Sequence, residues 1–245
     1  IMFKRLSQLD LDVEIFAPYG TPPHELTAAF LSAAGDTSDV ADVKGVIQGK
    51  LKQGWVALLE VLWLLEKQPY AAPVGRVTFQ KICYTLTELG IETGFHFKQG
   101  AYGPYAPEVK EACAVFANAN LAREQQMGSM IAMKTGDQYE TYRQCHHKYL
   151  KTVEKQIDMT VDLFCRIKNT EQAEEVATVF FAVRELKKEN TSITEQDVFD
   201  YILKWKMTWN SPEKKEAIAE AIRNLLVLRW IGAEFSTGLL KDEAF

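Results

Sequence analysis

Covalent fasteners are scarce in this chain: its 245 residues include four cysteines, Cys83, Cys113, Cys145 and Cys165, widely separated and without a C-x-x-C pair. That spacing argues against a disulfide framework, and reduced, buried thiols on helices are expected instead. Long apolar runs are also lacking. The longest, Trp55 to Leu65, is interrupted by Glu60 and falls well short of the roughly 20 residues a bilayer-spanning helix needs, so it reads as a buried core helix. No basic stretch followed by an apolar core and a small-residue cleavage site opens the sequence, so no secretory signal is read. Because the chain opens on Ile1-Met2, the expectation is a piece of a longer protein.

Motifs for the commoner chemistries are missing too. No G-x-x-x-x-G-K-[ST] or G-x-G-x-x-G string occurs, so no ATP, dinucleotide or other cofactor is expected. His24, His96, His146 and His147 do not combine with the cysteines at metal-ligand spacing, and neighbouring residues on a helix point about 100° apart, so His146 and His147 cannot chelate together. The same divergence argues against a Cys145–His146 nucleophile pair, and no nucleophile elbow surrounds either residue. Glu174 with Glu175, and Asp158 with Asp162, read as solvated helix faces rather than as an acid and base pair.

What is present is an ordinary globular composition, 47% hydrophobic and 25% charged, with a net charge of −5 and a pI near 5.5. The acidic balance disfavours a non-specific nucleic-acid binder and suits a basic partner. The predicted fold class is mainly α, a helical domain with small hairpin or wing elements. Leu11, Val13 and Ile15 alternate with Asp12 and Glu14, so residues 1 to 32 are expected to be the end of an upstream α/β domain, with a linker over 33–44 and a helical domain over 45–245.

Within that domain, helical spacing predicts a central helix from about Val46 to Lys67 and a second carrying Phe79, Ile82, Cys83, Leu86 and Leu89, stopped by Gly90. A short strand is expected over Gly94-Phe95-His96-Phe97-Lys98, a helix opened by Pro107, and a hairpin or wing near Met127 to Met133. Asp137 to about Lys168 reads as one long helix with a seam of Tyr142, Cys145, Tyr149, Val153, Ile157, Val161 and Phe164. Further helices are expected to start at Asn169, at a Thr194/Asp197 capping box and at Ser211-Pro212, with a short strand over Ile231 to Phe235. The last two helices and that strand read as a winged-helix-like module. Its final helix mixes Lys214, Lys215, Arg223 and Arg229 with Glu213, Glu216 and Glu220, so duplex DNA binding is the less favoured reading.

The string of greatest local character is Phe97-Lys98-Gln99-Gly100-Ala101-Tyr102-Gly103-Pro104-Tyr105-Ala106-Pro107-Glu108. Pro104 biases Gly103 away from helical conformations, and two tyrosines bracket the tight turn that results. At least one of Tyr102 and Tyr105 is expected to pin the loop to the core; the functional alternative is a recognition surface of Lys98 and the tyrosines.

The segment Thr78 to Leu89, followed by Gly94-Phe-His-Phe-Lys98 and Tyr102-Gly-Pro-Tyr105, resembles the Panacea-like (SocA-related) antitoxin domains. Over about residues 45 to 240 the likeness is to the C-terminal domains of the DarG antitoxins. The resemblance implies a bacterial cytoplasmic domain that binds a DarT-like DNA ADP-ribosyltransferase toxin and blocks its single-stranded DNA site, with acidic groups in place of phosphates. It implies no catalysis by these residues, since hydrolysis in that family belongs to a separate macrodomain, and no stable nucleic-acid or membrane partner. Lys98, Tyr102, Gly103, Pro104 and Tyr105 are the residues carried over as partner-binding. The competing class is a winged-helix regulator of its own operon.

Overall fold

A computed structural model describes residues 51–128 and 130–239. The expected upstream remnant (1–32) and the linker (33–44) lie outside the described residues, as do 46–50 of the helix expected from Val46, whose helical turns begin at Gln53 because 51 and 52 are not helical. Those described form a mainly helical domain with two small antiparallel hairpins, as the apolar spacing predicts.

Helix α1, Gln53–Lys67, is buried on almost every side, from Gly54 through Leu62 and again at Leu65. A helix that is apolar all round has to sit in the core. Its single internal carboxylate, Glu60, is satisfied by three donors: the Tyr139 hydroxyl at 2.6 Å, and the Arg143 Nε and Nη2 at 2.8 and 2.9 Å. The Trp55 indole donates to the Thr93 carbonyl at 2.9 Å, and its ring stacks on Phe95.

Helix α2, Arg76–Glu88, ends at Leu89, and Gly90 follows with φ +91°. The predicted strand over Gly94 to Lys98 is displaced: 94–97 run without strand pairing, while Phe95 and Phe97 turn inward against Trp55 and Tyr84. Strand pairing begins only at β1, Lys98–Gly100, which joins β2, Gly103–Tyr105, with Lys98 opposite Tyr105 and Gly100 opposite Gly103. Helix α3, Glu108–Asn118, follows, with Pro107 at its N-cap.

Strands β3, Ala122–Met127, and β4, Met130–Thr135, form the second hairpin. Its inner strand also bridges back to the segment before α2, through Gly75 with Ala132 and a hydrogen bond from the Met133 amide to the Val74 carbonyl. Helix, bridge, helix, hairpin, helix and hairpin follow one another, a winged-helix-like order with the β1–β2 hairpin inserted between its second and third helices. It lies at 53–135, not at the chain's end, where the expected 231–235 strand is a single parallel bridge between Thr194 and Glu234.

The long helix predicted from Asp137 is three: α4, Tyr139–Cys145, α5, His147–Thr152, and α6, Glu154–Arg166. The joints are His146 and Val153, whose ψ of 11° and 13° leave the helical basin and interrupt the hydrogen-bond ladder. Each joint rotates the inward face. Tyr139, Leu150, Ile157, Val161 and Phe164 are buried, whereas Cys145 is exposed.

Three helices complete the domain. Helix α7, Thr170–Glu189, is capped by Asn169 and packs against α2, β2 and both helices that follow. Helix α8, Glu195–Trp205, begins with the expected reciprocal capping box, and α9, Pro212–Val227, is capped by Ser211. Among the described residues no helix is long and apolar enough to cross a membrane.

Candidate functional site

The β1–β2 hairpin rests on a group of charges that hydropathy would place at the surface. Lys81, on the inward arc of α2, is 1% exposed and donates from Nζ to the Pro104 carbonyl at 2.8 Å. Lys206, just past α8, is 4% exposed and donates to the Ala101 carbonyl at 2.5 Å and to Glu174 on α7 at 2.6 Å. Burial holds the Lys81 ammonium down to about 8, an effect that Glu174 opposes and Lys206 reinforces. Gln80 completes the seat: it donates to the Ala106 carbonyl and accepts from the Ala106 amide.

This seat explains the glycine and proline. Gly103 has φ +82°, and a Cβ there would lie 3.0 Å from Thr178 Oγ1, 3.4 Å from Glu174 Cγ and 3.5 Å from Lys81 Cε. Glycine at this position answers two demands at once, a left-handed backbone and direct contact with α7. Pro104 is buried beside it.

Of the five sequence-predicted residues, two are therefore the hairpin's root and three are its display. Gly103 and Pro104 face inward, whereas Lys98 is exposed and Tyr102 and Tyr105 are 69% and 47% exposed. Neither tyrosine pins the loop to the core as expected, because carbonyls held by two buried ammonium groups and by Gln80 do that work. Gln99 adds a lateral tie, donating to the Tyr201 hydroxyl on α8 at 2.9 Å.

Sequence reasoning missed Lys81, Glu174, Lys206 and Tyr201. Glu174 and Glu175, expected on a solvated face, are drawn inward: Glu174 to Lys206, and Glu175 to Lys214, which also bonds Glu171 at 2.5 Å. The usable signal is that both carboxylates fall on the arc of α7 that carries Ala173, Ala177 and Thr178, all buried. Asp158 and Asp162 stay on a solvated face, with Asp162 paired to Arg166.

Elsewhere, a groove of about 180 Å³ lies beside Leu65, Pro73, Val74, Phe164 and Ile167, with Lys168 the charged residue among the described residues that line it. Among the described residues no three His, Cys, Asp or Glu side chains gather as a metal site would require. The cysteines are free; Cys83 is buried, Cys113 and Cys165 are half-buried, and Cys145 faces solvent, against the expectation that all four are buried. Compared with known protein families and with curated proteins, the chain matches none.

Proposed function

We propose that this chain is a protein-binding module that neutralises a DarT-like DNA ADP-ribosyltransferase toxin by direct contact, occluding the toxin's single-stranded DNA site without chemistry of its own. The observation that carries the reading is the hairpin: exposed tyrosines on a loop whose backbone is held by buried Lys81 and Lys206. Rigid aromatic side chains lose little entropy on binding, which makes them effective interface anchors. The likeness of the Tyr102-Gly103-Pro104-Tyr105 context to DarG-type antitoxin domains names the partner class, and the net charge of −5 suits a target evolved to hold phosphates.

The winged-helix order favours a second reading, a regulator of the chain's own operon. Charge weighs against it. Helix α3, in the position of a groove-reading helix, shows Lys110 and Glu111 outward, while Glu108 is half-buried and bonded to His96. On α9, Lys214 and Arg223 are engaged by Glu171, Glu175 and Glu195, which leaves Glu213, Glu216 and Glu220 facing solvent. Duplex DNA would meet no net positive charge on either helix.

The deciding experiment is calorimetric titration with a catalytically inactive DarT-like toxin, with and without single-stranded DNA. Tight binding that DNA weakens is the expected result, and no binding would refute the reading. Operator binding that falls steeply with salt would establish the regulator instead.

A further inference from the structure

Lys206 gathers two exposed apolar side chains into one neighbourhood. Its ammonium holds the Ala101 carbonyl at the hairpin apex, 2.5 Å away. Ala101 precedes Tyr102, and Lys206 precedes Met207 on the α8–α9 loop. Bond lengths along this path place the Tyr102 and Met207 Cα atoms within about 15 Å of each other. Met207 is 77% exposed, more than Tyr102. A standard protein interface takes about 800 Å² from each partner, a patch about 30 Å across, so both anchors fit inside one.

Cations flank this pair. Gln99 is bonded to Tyr201, and Lys204 lies three residues further along α8, on the same face as Tyr201. Lys98 precedes Gln99 and stands opposite Tyr105 across the hairpin. Lys98 and Lys204 are both exposed, and neither forms an ion pair among the described residues.

We propose that the β1–β2 hairpin and the α8–α9 loop form one recognition surface, with Tyr102 and Met207 as apolar anchors and Lys98 and Lys204 as rim cations, that takes an acidic-rimmed apolar face of a protein partner. The proposal rests on the binding-module reading above and sharpens it: this face grips the toxin beside the DNA site that the rest of the acidic chain covers, because Lys98 and Lys204, with exposed Asp200 one turn away bonded to Gln196, bring positive charge to the rim. Aromatic residues and methionine are the side chains that interface cores favour, and unpaired rim lysines steer an oppositely charged partner. Single-stranded nucleic acid is the other occupant such chemistry could take, but tracking a phosphate backbone needs a continuous basic groove, and two lysines do not make one. Lys206 is a positioning residue in this arrangement, since it touches the loop and not the partner.

The test uses the whole chain and a catalytically inactive DarT-like toxin. Tyr102→Ser and Met207→Ser are each expected to weaken binding at least tenfold with unchanged circular dichroism and melting temperature. Tyr70→Ser, at the most exposed tyrosine among the described residues, 93%, is expected to bind as wild type does. The double variant Lys98→Glu, Lys204→Glu is expected to slow association, most strongly at low salt. Wild-type binding that survives both serine variants would overturn the surface while leaving the functional reading intact. Failure of the wild type to bind would overturn both. Binding of an oligo-dT probe that the two charge reversals abolish would assign the surface to nucleic acid and overturn the proposal.

Discussion

The seat beneath the hairpin makes a quantitative claim about Gly103. Replacing it with alanine imposes two separable costs. The backbone at φ +82° is one that L-residues enter at about 1–2 kcal/mol. The added methyl also meets α7, with Thr178 Oγ1 at 3.0 Å and Glu174 Cγ at 3.4 Å. Both neighbours are constrained, Thr178 by complete burial and Glu174 by its bond to Lys206, so overpacking adds about 1–3 kcal/mol. Gly90 supplies the internal control: its φ is +91°, and a Cβ there meets nothing within 4 Å, so Gly90→Ala incurs only the backbone cost. Urea unfolding followed by tryptophan fluorescence is expected to place Gly103→Ala about 1–3 kcal/mol below Gly90→Ala at equal m-value, a melting-point gap of several degrees for a domain of this size. Equal destabilisation by the two substitutions would show that the hairpin does not press on α7 and would refute the seat.

Further outcomes follow from the same chemistry. Lys206→Met strips the partner from a largely buried Glu174 and leaves the Ala101 carbonyl unmet, at a cost of about 3–5 kcal/mol; adding Glu174→Gln is expected to recover part of this loss, and strict additivity in the double-mutant cycle would contradict direct pairing. The Lys81 ammonium is held at about 8 in the folded state against 10.5 unfolded, so above pH 8 the unfolded chain binds the extra proton and wild type should gain about 2 kcal/mol over Lys81→Met between pH 8 and 10. A constant difference across that range would show that Lys81 is not desolvated. Among the cysteines, exposed Cys145 is expected to react first with a thiol reagent, while burial pushes the Cys113 thiol up to about 12 and that of Cys83 well above its ordinary value, so Cys83, fully buried, should react only on unfolding; peptide mapping of the labelled sites decides the order.

Local signals carried the sequence reading wherever the physics is local. Asn169, the Thr194/Asp197 capping box, Ser211-Pro212 and Gly90 act on neighbours within a few residues, and each helix end lies where those residues put it. The breaks at His146 and Val153 carry no proline or glycine, so apolar spacing continues through them while the backbone does not. The hairpin was legible as a turn, but its support was not. Lys81 and Glu174 look like surface residues in sequence, because a lone charge inside an apolar arc reveals its burial only through partners on other elements. The winged-helix order was expected from the last two helices, yet it depends on Val74 and Gly75 meeting β4, a pairing that crosses more than 50 residues and leaves no periodic mark.

The bond between Lys206 and the Ala101 carbonyl spans 105 residues of chain, and that separation sets an order of events during synthesis. Ribosomes add about 5–20 residues per second, so a nascent chain carries its hairpin for about 5–20 s before the clamping lysine has been made. Through that interval the hairpin has its Lys81 and Gln80 ties but its apex carbonyl at Ala101 has no clamp, and any partner needing the finished geometry finds none. Recognition through this hairpin is therefore a property of the completed domain, withheld until α8 has been translated and packed, and truncation before Lys206 is expected to remove it even where every hairpin residue is present.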